Sequence, residues 1–430
     1  MARRLCVYLN GRKVGNLDKQ SSGAISFTYD AEWLDWRGRV PVSISLPLRP
    51  DPYRGDPVVN VFENLLPDTP RIRRNVAERL GADGTDAFSL LDVVGRDCVG
   101  ALQFLREGDE SGDEGHVEGD PLEEAEIAKT LRQLRINPLG LDPEGNFRLS
   151  IAGAQDKTAL LKFEGRWLRP IGSTPTTHIL KPAMGMLHNE MDMTESVQNE
   201  FVCLNLCKAL GLDVAEAEIA RFEDQLVLSV TRFDRLWTDD GRLLRLPQED
   251  FCQALSEPST RKYQSEGGPG MDSILERLGE SNRPVEDRLT FVHAQMIFWL
   301  IGATDGHAKN FSIQHTPGGG FVLAPIYDVL SAQPVVDAGR LRHNRYKLAM
   351  SAGDNNRYLI EKLAARHFDQ TADAAGLPKG SVEVLCEDLG SRIETSIEAL
   401  YRLIDGTITE PLIESLTEGL RNRAELLRIF

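Results

Sequence analysis

The chain has 430 residues, 41% hydrophobic and 27% charged. This is an ordinary globular composition that excludes wholesale disorder, a coiled coil and a small disulfide scaffold. Its 49 Lys and Arg against 65 Asp and Glu leave a formal charge of −16. That excludes an autonomous, generally basic DNA binder, because phosphate affinity comes from Lys and Arg.

In chain order, Leu5, Val7 and Leu9 alternate before Asn10-Gly11, which predicts a strand and a hairpin turn. The apolar run there is too short for a signal peptide. Residues 24–29 and 42–48 are further strand candidates, and 67–80 reads as a helix with Pro70 near its start and Gly81 after its end. Residues 107–126 carry ten acidic residues and no Lys or Arg, and read as a solvated connector and a boundary. From 146 the pattern is strand, turn, strand, with Gly153 and Gln155 at the turn. Strands at 167–171 and 177–181, a polar loop at 184–195 and a helix at 196–210 follow, then strands at 218–222 and 226–233.

Beyond 240 the chain reads as mainly helical, with helices at 287–301, 355–367, 379–403 and 410–426. Polar, non-helical segments at 304–315 and 321–332 lie between them. The longest uncharged run, 289–304, contains His293 and Gln295. It falls short of the roughly 20 residues a spanning helix needs, so it reads as a buried helix and no membrane partner is expected. The six Cys form no CxxC. Cys203 and Cys207 share a helix face and read as core residues, which fits a reduced, cytoplasmic protein. The expected fold is α+β: residues 1–106 an accessory subdomain, 107–145 an acidic connector and helix, 146–235 a strand-rich lobe and 236–430 a helical lobe, with a cleft between the last two.

The strongest chemical signal is GATDGHAKNFSI, 302–313, which packs Asp305, His307, Lys309 and Asn310 into six positions. Asp328 follows in LAPIYDVLS. Phosphoryl transfer uses one Asp to position or deprotonate a hydroxyl, and an Asn and a second Asp to hold magnesium. The spacing from Asp305 to Asn310 matches that of a kinase catalytic loop. The plainer reading is a capped turn, since Asp-Gly is a common turn pair. Residues 150–157, SIAGAQDK, are neither a Walker A loop nor GxGxxG. They read equally as a phosphate-cradling turn or an ordinary hairpin. Lys181 in HILKP is a candidate phosphate cation, with Glu200 as partner, or a surface lysine. Arg232-Phe233-Asp234-Arg235 stands where a hinge would run, and Phe233 could contact adenine. Gln248 opens the helical lobe. YQSEGGPG, 263–270, reads as a turn-rich rim. His178, His188, His293 and His315 make no defensible metal group.

The ordered motifs AGAQxKTAL, THILKP, Asn199-Glu200, RFDR, LPQED, KYQSEGGPG, IGATDGHAKNFS and YDVLSA, with NVFENLLPD (60–68) and GRDCVGAL (95–102), resemble the HipA family. These are the serine/threonine-protein kinase toxins of bacterial HipBA toxin–antitoxin modules. The resemblance is very close to archetypal members and covers essentially the whole chain. It implies a two-lobed, protein-kinase-like fold with an extra strand-rich N-terminal subdomain, using ATP and Mg2+. By it, Asp305 is the catalytic base, Asn310 and Asp328 are magnesium ligands, and His307 supports the loop. Ile151, Ala152, Gly153, Ala154, Gln155 and Asp156 form the phosphate loop, Lys181 meets the phosphates, and Arg232, Phe233 and Gln248 border adenine. It also implies self-inactivating autophosphorylation of Ser150. The expected acceptor is glutamyl-tRNA synthetase. The expected partner is the helix-turn-helix antitoxin HipB, with operator DNA contacted mainly through HipB and nucleoid association in that complex. The chain departs from the family pattern at Asp156, at Thr231 and in a shorter loop after Lys181, a loop that resembles the family's activation segment. Arg71, Arg73, Arg74 and Arg79 are a candidate DNA patch. The alternatives are a kinase-inactive co-repressor subunit and a metal-dependent phosphohydrolase.

Overall fold

The structure is a computed structural model that describes residues 3–109, 111–112, 114–141, 149–186 and 192–428. The chain forms two compact units, 1–182 with 220–260 and 313–321, and 183–219 with 261–312 and 322–430.

In the first unit, Leu5, Val7 and Leu9 are buried, as their alternation predicts. Strands Arg3–Leu9 and Arg12–Lys19 pair antiparallel around Asn10 and Gly11, both with positive φ (45° and 76°). That backbone is why Asn-Gly suits a two-residue hairpin. Ile25–Tyr29, Tyr53–Arg54 and Leu102–Arg106 complete a five-stranded antiparallel sheet. Helices Asp56–Glu63, Pro70–Leu80 and Ala87–Val94 bring buried side chains to its core. Phe62 joins the two, with its ring 5.6 Å from Phe27 and 5.5 Å from Phe104.

The expected strand at 42–48 is not formed. Pro41 and Pro47 remove two ladder donors. The remaining N–H groups go elsewhere: Val42 to the Tyr29 hydroxyl (3.0 Å), Ile44 to Glu249 Oε1 (2.8 Å) and Leu46 to the Ser43 carbonyl (2.9 Å). The helix expected from 67 begins at Pro70 and ends on Gly81 in the left-handed region.

A six-stranded sheet has the order Ala217–Phe222, Gln225–Thr231, His178–Pro182, Thr158–Phe163, Arg166–Pro170, Gly119–Pro121. Its edge strand Gly119–Pro121 and the helix Glu124–Gln133 both start inside the expected acidic connector. Ile127 and Leu131 of that helix bury against Leu160, Leu180 and Val227. The strand expected before the 153–155 turn is reduced to one bridge, Leu149 to Asp97, and residues 146–148 lie outside the described residues.

The second unit is mainly helical, with Ser196–Ala209, Met271–Leu278, Pro284–Ile301, Ala365–Ala374, Ser381–Tyr401 and Glu410–Ala424. Pro284–Ile301 buries Phe291, Phe298 and Trp299, and Trp299 packs 5.6 Å from Phe368. The helix expected at 355–367 is not formed. Lys347–Ala352 and Arg357–Leu359 pair as a hairpin, with Asn356 in the left-handed region (φ 48°), and the helix starts only at Ala365. Two adjacent Asn residues favour a turn over a helical start. In the polar loop expected at 184–195, Gly185–Met186 pairs with Asp192–Met193, and 187–191, including His188, lies outside the described residues. All six Cys are buried, and none of them forms a disulfide. Among the described residues no helix is long and apolar enough to cross a membrane.

Candidate active site

The helix Pro284–Ile301 stops at Gly302, whose left-handed backbone (φ 70°) returns its N–H to the last turn. The chain is caught again at Phe311, with its ring 4.9 Å from Phe291 and 5.6 Å from Phe298. Gly306 passes so close that a Cβ there would lie 2.5 Å from Phe298 Cδ2. An apolar anchor at each end therefore fixes a short polar loop.

Inside that loop the backbone closes on itself. The Asp305 carbonyl accepts from His307 N–H (2.7 Å) and Asn310 Nδ2 (2.7 Å), and the His307 carbonyl accepts from Asn310 N–H (2.9 Å). The Asn310 amide nitrogen is thereby engaged, leaving Oδ1 as an acceptor. The Asp305 side chain is 57% exposed, whereas His307 is buried. Burial pushes the His307 imidazole below its ordinary pKa, against the opposing pull of Asp305 and Asp328. His307 Nε2 lies 4.0 Å from Asp305 Oδ2. The Tyr263 hydroxyl donates to Asp305 Oδ1 at 2.5 Å, and its ring stands edge-on to His307.

Asp328 is held in the same unit by its flanks. On one side, Ile326 bridges Val214, with Ile326 N–H to the Asp213 carbonyl (2.9 Å). On the other, Ser331 N–H donates to Asn199 Oδ1 (3.0 Å), while Asn199 Nδ2 donates to the Ser331 carbonyl (2.9 Å). Between them Asp328 adopts φ 59°, a left-handed conformation that costs an L-residue about 1–2 kcal/mol. The Tyr327 hydroxyl ties this segment to the first loop by donating to the Lys309 carbonyl at 2.9 Å. Thus Asp305, His307, Asn310 and Asp328 come from two joined segments. They offer an exposed carboxylate, an amide oxygen and a second carboxylate. This donor set suits Mg2+, which is usually held by one or two carboxylates with substrate phosphates completing the shell.

The other site candidates lie in the first unit. Ser150 is fully buried; its N–H donates to the Asp97 carbonyl (2.9 Å) and its Oγ to the Leu65 carbonyl (2.8 Å). Ile151 is buried, while Ala154 is exposed at the tip of the turn. Gly153 has φ 108° and bridges Pro67. Lys157 Nζ donates to the Ala152 carbonyl (3.0 Å) and Gln155 Nε2 to the Pro182 carbonyl (3.1 Å). Asp156 lies 3.5 Å from Arg71. Lys181 is buried opposite Leu228 in the six-stranded sheet, so it is not a surface lysine.

Arg232 is buried and its guanidinium donates to Asp234, Asp97, Thr176 and the Cys98 carbonyl. Arg235 and Arg245 join it on Asp97 (2.7 and 3.2 Å). Burial raises the Asp97 carboxyl, but the three guanidinium groups outweigh it and hold Asp97 well below the usual carboxylate range. The Phe233 carbonyl accepts from Gln314 Nε2 (3.3 Å), and Gln248 is half-buried at the start of its strand. Of the arginine cluster, Arg71 and Arg79 donate to the Arg135 and Ile136 carbonyls, and Arg73 pairs with Glu63.

Three residues escape the sequence reading: the Tyr263 hydroxyl, Asp97 and the Asn199 clasp. Their partners are 42, 135 and 132 positions away, so no local pattern could reveal them. The sequence singles out the stretches that hold them, GRDCVGAL, YQSEGGPG and Asn199-Glu200, but not their partners.

Residues 5–105 match the HipA N-terminal domain and residues 149–397 the HipA-like C-terminal domain. Y4mE of Sinorhizobium fredii, named as a kinase, is 34% identical over 99% of both chains. The serine/threonine-protein kinase toxin HipA of Shewanella oneidensis is 29% identical, covering 86% of this chain and 83% of that one. A chain of the solved Shewanella oneidensis complex of HipA, HipB and operator DNA covers 98% of this chain and 97% of its own at a TM-score of 0.80 and 23% identity, a likeness of fold. With both domains matched in order along one chain, the protein belongs to the HipA family.

Proposed function

We propose that this protein is an ATP- and Mg2+-dependent serine/threonine protein kinase, the toxin of a toxin–antitoxin module. The observation that carries the reading is the self-closed loop from Asp305 to Asn310, joined to the left-handed Asp328. Together they hold an exposed carboxylate and two cation-seeking oxygens in one unit. In this reading Asp305 takes the proton of the acceptor hydroxyl as that oxygen bonds to the γ-phosphorus. The bond to the β-phosphate oxygen breaks and ADP leaves with the electron pair. Asn310 Oδ1 and Asp328 would hold Mg2+, which supplies neutralising charge to the phosphates when bound. His307, buried beneath Asp305, supports the loop. In the first unit, the backbone of 151–156 would cradle phosphates, Lys181 would pair with them, and Phe233, the Arg232 backbone and Gln248 would border adenine.

Ser150 is the proposed site of self-modification. Its hydroxyl is buried against the Leu65 carbonyl, and a phosphate adds roughly −1.5 to −2 charges. Such a group cannot remain against a carbonyl oxygen in a closed core, so modification would expel the loop and with it the ATP phosphates. The proposed acceptor outside the chain is glutamyl-tRNA synthetase, and the proposed partner is a helix-turn-helix antitoxin that carries the protein to operator DNA as co-repressor. The likeness to the HipA, HipB and operator DNA complex supports the last point.

The test is peptide mass spectrometry after incubating unphosphorylated protein with ATP and magnesium, alongside Asp305→Ala, with the synthetase and its tRNA present. Phosphate on Ser150 or the synthetase, lost in the variant, is the expected result. No transfer to either acceptor would leave the co-repressor reading, measured by operator binding with the antitoxin. Release of free phosphate with no phosphoprotein would indicate a phosphohydrolase.

A further inference from the structure

The segment 261–270 is built to hold one side chain still. The Tyr263 carbonyl accepts from Glu266 N–H (3.0 Å) and Gly268 N–H (3.0 Å), and Gly267 N–H donates to the Gln264 carbonyl (3.1 Å). A Cβ on Gly268 would fall 1.7 Å from the Arg261 carbonyl oxygen, so the turn closes this tightly only with glycine. The Lys262 carbonyl accepts from Ala308 N–H (3.3 Å), which joins the turn to the Asp305 loop. Gln264 Oε1 accepts from Ser351 N–H (2.7 Å) and anchors its far side.

All of this fixes the Tyr263 phenol. Its ring stands edge-on to His307 at 4.9 Å, and its hydroxyl donates to Asp305 Oδ1 at 2.5 Å. Among the described residues no other side chain donates a hydrogen bond to that carboxylate. At 57% exposure, an unrestrained Asp305 would rotate and exchange its partner for water. With Oδ1 held, the carboxylate plane is set and Oδ2 remains to receive a proton.

The geometry points to Tyr263 as a positioning residue for phosphoryl transfer, holding Asp305 in its productive rotamer; the inference rests on the kinase reading above. Orienting a reactive group in this way acts on the chemical step rather than on nucleotide binding.

Tyr263→Phe tests it, because the ring that packs on His307 is kept and only the hydroxyl is lost. The expected result is a kcat lower by about ten- to a hundredfold, the effect of losing one hydrogen bond to a charged group. KM for ATP stays within about twofold and the melting temperature is unchanged. Combined with Asp305→Asn, the Phe substitution causes no further loss, since its effect runs through Asp305. Wild-type kcat in Tyr263→Phe, with Asp305→Asn inactive, overturns this inference and leaves the kinase reading intact. A collapse in melting temperature overturns it in favour of a purely structural role. Full transfer by Asp305→Asn removes Asp305 as the base and this inference with it, and no transfer by the wild type removes the kinase reading as well.

Discussion

The side-chain amide of Asn310 donates to the backbone carbonyl of Asp305 at 2.7 Å. In the proposed function one residue would have two duties: its nitrogen shapes the loop and its oxygen would face a cation. Asn310→Asp separates them. The carboxylate keeps an oxygen for the metal but cannot donate, and it sets a negative charge against the Asp305 carbonyl. We expect transfer to fall by about 10- to 100-fold, the effect of losing one such hydrogen bond, with no greater requirement for magnesium. Asn310→Leu loses both duties and should be inactive at any magnesium concentration. Initial rates across a magnesium titration distinguish the two. Equal loss in both variants would show that the side-chain oxygen adds nothing to the role of the donor, and wild-type rates in Asn310→Asp would show that the donor has none.

Ser150 makes a second separable case. Ser150→Ala leaves the buried Leu65 carbonyl without its 2.8 Å donor, at a cost of about 1–3 kcal/mol. It should lose self-phosphorylation yet still modify an outside acceptor. Ser150→Glu places a larger, charged group in the same buried position and should weaken binding of a fluorescent ATP analogue at least tenfold. ATP binding by Ser150→Glu at wild-type strength would refute the expulsion of the phosphate loop.

These sites differ in how far the sequence discloses them. The loop from Asp305 to Asn310 is legible because its parts are adjacent: an apolar helix, a Gly302 stop and four polar residues within six positions. Ser150 is legible only through the family resemblance, and its neighbour Leu149 forms a bridge and not a strand. At 42–48 the alternation is real, but the backbone bonds to Tyr29 and Glu249. At 355–367 the apolar spacing suggested a helix, and the turn at Asn356 overrode it. Tyr263 and Asp97 act through partners far along the chain, which residue spacing cannot encode.

Asp97 shows how much such a distant partner matters. It receives Arg232, Arg235 and Arg245 inside the first unit, and all three are at least half-buried. Asp97→Asn keeps the size but removes the charge that makes those burials tolerable, leaving Asp234 to pair with Arg232 and Arg235. Breaking a buried pair in this way costs about 3–5 kcal/mol. Urea denaturation should show that loss, whereas Arg4→Gln, which breaks the exposed pair with Asp18, should cost under about 1 kcal/mol. Similar small losses in both would mean that the hub contributes no more than a surface pair.

His293 provides a pH test of the second unit that is independent of activity. It is buried in the helix Pro284–Ile301, with Asp388 and Arg392 as its charged neighbours. Burial pushes its pKa down to about 4, with Asp388 opposing and Arg392 adding to the fall. The unfolded chain titrates near the ordinary value of about 6.5, so on acidification the unfolded state binds the proton first. Stability is therefore complete well above pH 6.5 and declines as pH falls through that value towards 4. Between pH 8 and pH 5 this one group should remove about 2 kcal/mol. His293→Gln keeps a polar side chain of similar size without the titration. Urea unfolding of both proteins at the two pH values should show the wild type losing about 2 kcal/mol more than the variant. Other histidines, His307 among them, titrate alike in both proteins and cancel in the difference. Identical losses would mean that the folded protein accepts a proton on His293 as readily as the unfolded chain does.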